Sequence, residues 1–323
     1  MTTTLTRRFA LAALAATGLA ATTAGAQTFP DKPITFIVPF AAGSATDQLA
    51  RALGQGVTQE TKQQVVIDNK PGANAFIGAQ AAAKAPNNGY TVFITTNTTH
   101  AANEHLFKKL PYDPVKDFEP VGLLSKGGQI LVVNNNLPVN SVADLVKYAK
   151  ANPGKLSFGS GSSSSRIAGE LFKQMTGSFI VNIPYRSNPP AVTDLIGGQI
   201  QLMFTDMATG LPQVKGGKVK ALGVSATQRT SLAPEIPTIA ETVKGYESTF
   251  WFAAYVPAGT PAPVVARLNE ILARANKSAT VTNFYQSVGF EALAGSPDDL
   301  RKFQAAESQK WGKIVKAAGI EKE

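Results

Sequence analysis

The chain has 323 residues, 31 Lys+Arg against 22 Asp+Glu, two His and no Cys. Its length and 44% apolar content allow two compact domains, each with a core of its own. Without cysteine there are no disulfides, thiolate metal sites or cysteine nucleophiles, and two histidines argue against a multi-His metal centre, while a formal charge of +9 raises the question of an anionic partner.

Arg7 and Arg8 precede an apolar run over residues 9–21, and Ala24-Gly25-Ala26 offers an A-x-A-like cleavage site before Gln27. This order of features predicts a signal peptide over residues 1–26 and an exported, soluble, periplasmic protein. The apolar run is too short to span a membrane, and no cysteine is present to carry a lipid. Thr6-Arg7-Arg8 hints at twin-arginine export. Once Arg7 and Arg8 are set aside, the remaining positive charge is spread along the chain, with no run of three basic residues. Nucleic-acid binding needs clustered Lys and Arg to neutralise phosphates, so that partner is excluded.

In chain order, the β-branched run Ile34–Val38 predicts a buried strand, followed by a helix on Leu49, Leu53 and Val57 and a strand over 64–67. An alanine-rich helix over 79–84 stops at Pro86-Asn87-Asn88-Gly89, and a strand over 91–95 runs into the polar loop 96–99. The pattern repeats after about residue 128. Ser141 with Asp144 starts a helix that Asn152-Pro153-Gly154 stops, and a strand over 156–158 enters a Gly/Ser loop and a helix ended by Gly177. A strand over 180–183 leads to Asn188-Pro189, read as an N-cap with proline in the first turn, and further strands are expected over 200–204 and 219–224. Pro261 and Ser296 begin two C-terminal helices with apolar stripes. Alternating strands and helices imply an α/β fold with two mainly parallel sheets and a cleft between two lobes. The expected division is lobe 1 over 27–127 plus 251–323 and lobe 2 over 128–250.

Three segments share one layout of strand, small polar loop and helix start: 40–47, 159–165 and 185–189. A helix start presents unpaired N–H groups and partial positive charge, and the carboxyl ends of parallel strands are where open α/β sheets bind ligands. Three such loops in one chain point to a cleft for a small anion. Familiar catalytic and nucleotide signatures fail. Gly159-Ser160-Gly161 lacks the third glycine of a dinucleotide fingerprint, and there is no phosphate loop or G-x-S-x-G elbow. His100, Glu104 and His105 miss zinc spacing, and no metal or cofactor is expected. Trp251-Phe252 has core packing as its commoner fate, with cleft lining as the alternative.

The chain resembles the Bug-type solute receptors of tripartite tricarboxylate transporters along its whole length after residue 26. The resemblance is carried by Val38-Pro39-Phe40-Ala41-Ala42-Gly43 with Asp47 and Arg51, by Asn69-Lys70-Pro71-Gly72-Ala73, and by Leu110-Pro111-Tyr112-Asp113-Pro114. Gly169-Glu170-Leu171-Phe172, Pro184-Tyr185-Arg186, Gly197-Gly198-Gln199 and Pro257-Ala258-Gly259-Thr260-Pro261 continue it. It implies a type II periplasmic-binding-protein fold, with two α/β lobes joined by crossing strands around a small carboxylate that loop amides, hydroxyls and water hold. By position, the implied contacts are Phe40, Gly43, Ser44, Asp47, Asn97 and Thr99 from lobe 1, and Ser160, Ser162, Ser163, Tyr185 and Asp206 from lobe 2. Ser44, Arg166 and the run Arg186-Ser187-Asn188-Pro189 depart from the family pattern. Arg166 or Arg186 at the cleft edge is expected to favour a second acidic group on the ligand.

The leading functional expectation is therefore a monomeric binding protein, not an enzyme. It captures a small carboxylate, a di- or aromatic acid, and delivers it to the permease subunits of a tripartite transporter. A ligand-sensing partner of a membrane signalling protein is the alternative. An exported hydrolase using a loop serine lacks an assigned base, because neither histidine is tied to a serine by motif.

Overall fold

Three parallel strands begin the fold: β1 (Ile34–Val38), β2 (Val65–Asn69) and β3 (Thr91–Thr96), with β1 in the middle. β1 and β3 are β-branched and aromatic and almost wholly buried, as strands covered by helices on both faces must be. Helix α1 (Ala45–Thr61) connects β1 to β2 and α2 (Phe76–Ala83) connects β2 to β3. At the start of α1 the Ser44 hydroxyl accepts the Asp47 N–H, and Leu49, Leu53 and Val57 form one buried stripe. The computed structural model describes residues 29–323, of which Lys32–Glu323 form one unit. The expected signal peptide over residues 1–26 lies outside the described residues.

After a π-helical turn (Thr98–Ala102) and the short α3 (Asn103–Leu106) comes β4 (Phe118–Asn134), a strand of 17 residues. The second set of elements is α4 (Val142–Ala151), β5 (Ser157–Ser160), α5 (Ser163–Thr176), β6 (Val181–Pro184), α6 (Asn188–Ile196), β7 (Leu202–Asp206), α7 (Met207–Lys215) and β8 (Val219–Val224). The chain then returns through β9 (Thr249–Pro257), α8 (Ala262–Asn276), α9 (Ala279–Val288), β10 (Glu291–Ala292) and α10 (Pro297–Ala317). Strand order is β2-β1-β3-β9-β4-β7-β5-β6, with β8 and β10 also on β4. β5 is parallel to β6 and β7, whereas β4 is antiparallel to β7, β8 and β9.

β4 changes partner in mid-course. Gly128 is opposite Thr249 of β9, and the next residue, Gln129, is opposite Asp206 of β7. Bulges at Pro120/Gly122 and Leu123/Ser125 add twist before this hand-over. Buried Ser225 knots the crossing: its hydroxyl accepts the Gln129 N–H at 2.7 Å and donates to the Ser248 carbonyl. Two α/β lobes result, one around β1–β3 and β9 and one around β5–β8.

Each lobe has its own core. Phe93, Phe118 and Tyr255 meet Trp251, Leu300 and Trp311 in the first, and Phe158, Phe172, Phe204 and Tyr246 dominate one face of the second. Ile130, Leu195 and Met203 fill the other face. Each such fully buried large side chain contributes about 1.5–3 kcal/mol relative to exposure. Ile167 of α5 belongs to the first-lobe cluster, so the start of α5 packs across the cleft.

The elements differ from expectation at informative places. β5, β6 and β7 start and end one or two residues later than predicted, so they reach Ser160, Pro184 and Asp206. The N-cap of α6 is Ser187, not Asn188. Asn188 instead occupies the first turn and donates its side-chain N–H to Asp206 at 2.8 Å. β4 has no sequence signal strong enough to place it, because Pro120, Gly122, Gly127 and Gly128 interrupt any apolar alternation, whereas β9 is a continuous aromatic and apolar run whose strand signal the chain-order reading leaves unassigned.

Candidate ligand-binding site

A solvent-open cavity, with about 400 Å³ of unfilled space when the part open to solvent is included, lies between the lobes. Lobe 1 supplies Phe40, Ser44, Ala45 and Thr46 from the β1–α1 junction and Thr96 from the end of β3. Lobe 2 supplies Gly161, Ser162 and Ser164 from the β5–α5 junction, Ser187 and Asn188 at the start of α6, and Asp206 at the end of β7. Gln129 of β4 and Phe250 and Phe252 of β9 complete the wall. No Lys, Arg or His is among these residues.

The β1–α1 junction is held by a charged network behind the cavity. Gly43, at φ +80°, gives the turn a conformation that a side chain disfavours. Asp47 Oδ2 accepts the Gly43 N–H at 2.8 Å and Arg51 Nε at 3.0 Å, and Oδ1 accepts Asn69 Nδ2 at 3.0 Å. Asn69 also donates to the Phe40 carbonyl. Burial alone would raise the Asp47 carboxyl. The hydrogen bonds from Arg51, Gly43 and Asn69, with the Arg51 charge, outweigh it and hold the group below the usual carboxylate range. With Asp47 N–H on the Ser44 hydroxyl, the other first-turn amides belong to the cavity residues Ala45 and Thr46.

The β5–α5 junction repeats the layout with neutral groups. The Ser162 hydroxyl accepts the Ser165 N–H, and the Ser165 hydroxyl donates to the Phe204 carbonyl. Gly161 is required sterically: a Cβ there would sit 2.2 Å from Ser187 C and Asn188 N. Two serines of α5 reach lobe 1. Ser163 donates to Asn103 Oδ1 at 2.6 Å, and Ser164 donates to Asn97 Oδ1 at 3.1 Å. Asn103 in turn donates to the carbonyl of Asn74, inside a stretch where Ala73, Asn74 and Ala75 all have positive φ. Such conformations cost about 1–2 kcal/mol per residue, so Asn103 ties a strained segment to the interlobe contact.

Of the thirteen residues expected at the site, Phe40, Ser44, Ser162 and Asp206 line the cavity. Gly43 and Asp47 shape the first loop from behind. Asn97 and Ser163 bridge the lobes. Thr99 is directed elsewhere, its hydroxyl bonded to Thr95 Oγ1 and to His100 Nδ1. His100 stacks on Tyr255 at 3.8 Å between ring centroids, and burial brings its pKa down to about 3. Ser160 donates to Asn182, and Tyr185 donates to Asp194 at 2.8 Å. Burial, then the Asp194 hydrogen bond and charge, push the Tyr185 phenol up to about 12.

The two arginines expected at the cleft edge do not line the cavity. Arg166 is paired with Glu323 at 2.8 Å, and Arg186 is exposed. Among the described residues, no three His, Asp or Glu side chains come together as a metal site. Four wall residues missing from the expected set, Thr96, Gln129, Phe250 and Phe252, are in strands, and the other six are in the same small loops and helix starts as expected residues. Gln129 and Thr96 stand at strand positions with no motif around them. Phe250 and Phe252 share one face of β9, whereas Trp251, on the other, donates to Glu307 inside the core.

A family model described as "Tripartite tricarboxylate transporter family receptor" matches residues 49–320. The chain belongs to this receptor family. Among curated relatives, protein BugT of Bordetella pertussis is 33% identical over 95% of this chain and 95% of its own. The structure of R. palustris Rpa4515 with adipate superposes with a TM-score of 0.88 at 36% identity, over 91% of this chain and 100% of that one. The periplasmic binding protein BugD superposes with a TM-score of 0.87 at 31% identity, over 91% and 100% of the two chains. The receptor thus has the periplasmic-binding-protein fold of the TctC/Bug type, and it is a solute-binding protein, not an enzyme.

Proposed function

We propose that this receptor captures a small carboxylate between its two lobes in the periplasm and hands it to the permease of a tripartite transporter. The observation that carries the reading is the pairing of two helix starts, α1 from lobe 1 and α5 from lobe 2, across one cavity walled by hydroxyls, amides and aromatic rings, with the Asp206 carboxylate at one place in the wall. Such starts favour anions through oriented N–H groups and partial positive charge. Neutral donors bind without a buried ion pair, which suits a carrier that must release its cargo. The adipate in Rpa4515, 36% identical, supports the carboxylate class.

We assign lobe 1 to 27–127 plus 251–323 and lobe 2 to 128–250, with the hand-over in β4 as the pivot. The ligand draws the lobes together because its contacts with both exist only in the closed arrangement. The receptor acts as a monomer, and residues 1–26 direct its export. Mass spectrometry of solute released from the purified protein, followed by thermal-shift measurements with a panel of acids and sugars, tests the reading. A small carboxylate is expected to raise the melting temperature. Stabilisation by uncharged sugars alone would show the assignment to be wrong.

A further inference from the structure

Away from the α5 start, the part of the wall formed by Gln129, Asp206 and Asn188 is rich in acceptors, and no Lys, Arg or His lines the cavity; the unpartnered Ser187 hydroxyl is beside it. Gln129 and Asp206 are direct cross-strand partners on β4 and β7, which places their side chains side by side on one face. Both line the cavity, and Gln129 is 2% exposed with Oε1 unpartnered. Asp206 accepts the Thr209 N–H on one oxygen and Asn188 Nδ2 on the other. Two carboxylate oxygens take about four donors, so acceptor capacity remains on Asp206. Asn188 has committed its N–H to Asp206, which leaves Oδ1 unpartnered and buried beside Gly161.

We propose that this end of the cavity selects a ligand with a cationic hydrogen-bond donor, so that the bound solute is an amino carboxylate in preference to a plain dicarboxylate. The inference rests on the carboxylate reading above and adds the chemistry of the ligand's second end. An ammonium brings positive charge and three donors to a place that offers a carboxylate and bare amide oxygens. A second carboxylate there would face Asp206 with no Lys, Arg or His in the wall to offset it. Capping α7 does not require an acid, since Asn accepts the same N–H equally well. Phe40, Phe250 and Phe252 cover the hydrocarbon between the two ends. Asp206 is thereby a specificity-determining residue.

Titration calorimetry at pH 7 on protein freed of endogenous solute tests this. Three probe series of matched chain length serve: α- and ω-amino carboxylates, dicarboxylates such as succinate and glutarate, and monocarboxylates such as butyrate and valerate. The tightest amino carboxylate is expected to exceed its dicarboxylate and monocarboxylate counterparts by at least about tenfold, the scale of one charge-assisted hydrogen bond. Asp206→Asn keeps the helix cap and is expected to erase that preference while retaining binding of the carboxylate end. Gln129→Met is expected to weaken the preference by a smaller factor. Tighter binding of a dicarboxylate than of its amino counterpart, or a preference unchanged in Asp206→Asn, would overturn the inference. Failure of all three series to bind would instead overturn the carboxylate reading itself, and this inference with it.

Discussion

The β1–α1 and β5–α5 junctions have the same plan and opposite reinforcement. In the first, Asp47, Arg51 and Asn69 form a charged net behind the loop, and the Asp47 side chain is only 3% exposed. In the second, serine hydroxyls and a glycine backed directly against the 187–188 backbone do the same task without charge. The first junction is fixed within its own lobe, whereas the second also reaches across the cleft through Ser163 and Ser164. The difference separates two mechanical behaviours: a junction bonded only to its own lobe keeps its geometry at any lobe angle, and one bonded to both changes with that angle.

The harshest way to break the second junction is Gly161→Ala. Its Cβ would enter the backbone of residues 187 and 188, so about 3 kcal/mol of stability should be lost, with ligand binding abolished. Urea unfolding and calorimetry read both. Asp47→Ala tests the first junction. It leaves Arg51, Asn69 and the Gly43 N–H without their acceptor, and the expected loss is about 2 kcal/mol with binding weakened roughly tenfold. Because the folded Asp47 carboxyl titrates below its unfolded value of about 3.9, its contribution is complete above that pH and fades as pH falls through the folded value. The acid limb of the stability profile should therefore be shallower in Asp47→Asn than in wild type. Ser164→Ala gives the smallest effect. It should weaken ligand binding about three- to fivefold through the closed form and leave the melting temperature of ligand-free protein unchanged. A drop in that temperature equal to the binding loss would mean that Ser164 does not discriminate between open and closed arrangements.

The same junctions show what a sequence reveals. The strand, small residues and helix start of 34–47 and 157–165 were readable, because turn chemistry and capping are local. Ser44 and Ser162 are N-caps in these segments, and both line the cavity. Gln129 has no such local signal, since its place in the cavity comes from a partner 77 positions away on β7. Arg166, expected at the cleft edge, is paired for a similar reason with a residue no local pattern reveals: Glu323, at the other end of the chain. Strand ends extend past the sequence expectation where they become polar, at Gly159-Ser160 and Thr205-Asp206, and the last of these residues, Asp206, lines the cavity. In β9, alternation separated Phe252 from Trp251, which pattern alone had treated as a pair.

The knot at Ser225 has a mechanical consequence. One hydroxyl joins the two passages of chain between the lobes, so relative sliding of the two would break its hydrogen bonds to Gln129 and Ser248. Gln129, whose amide is fastened to that hydroxyl, also has its side chain in the cavity wall. A solute that reached Gln129 would therefore press on the crossing between the lobes as well as on the cavity wall.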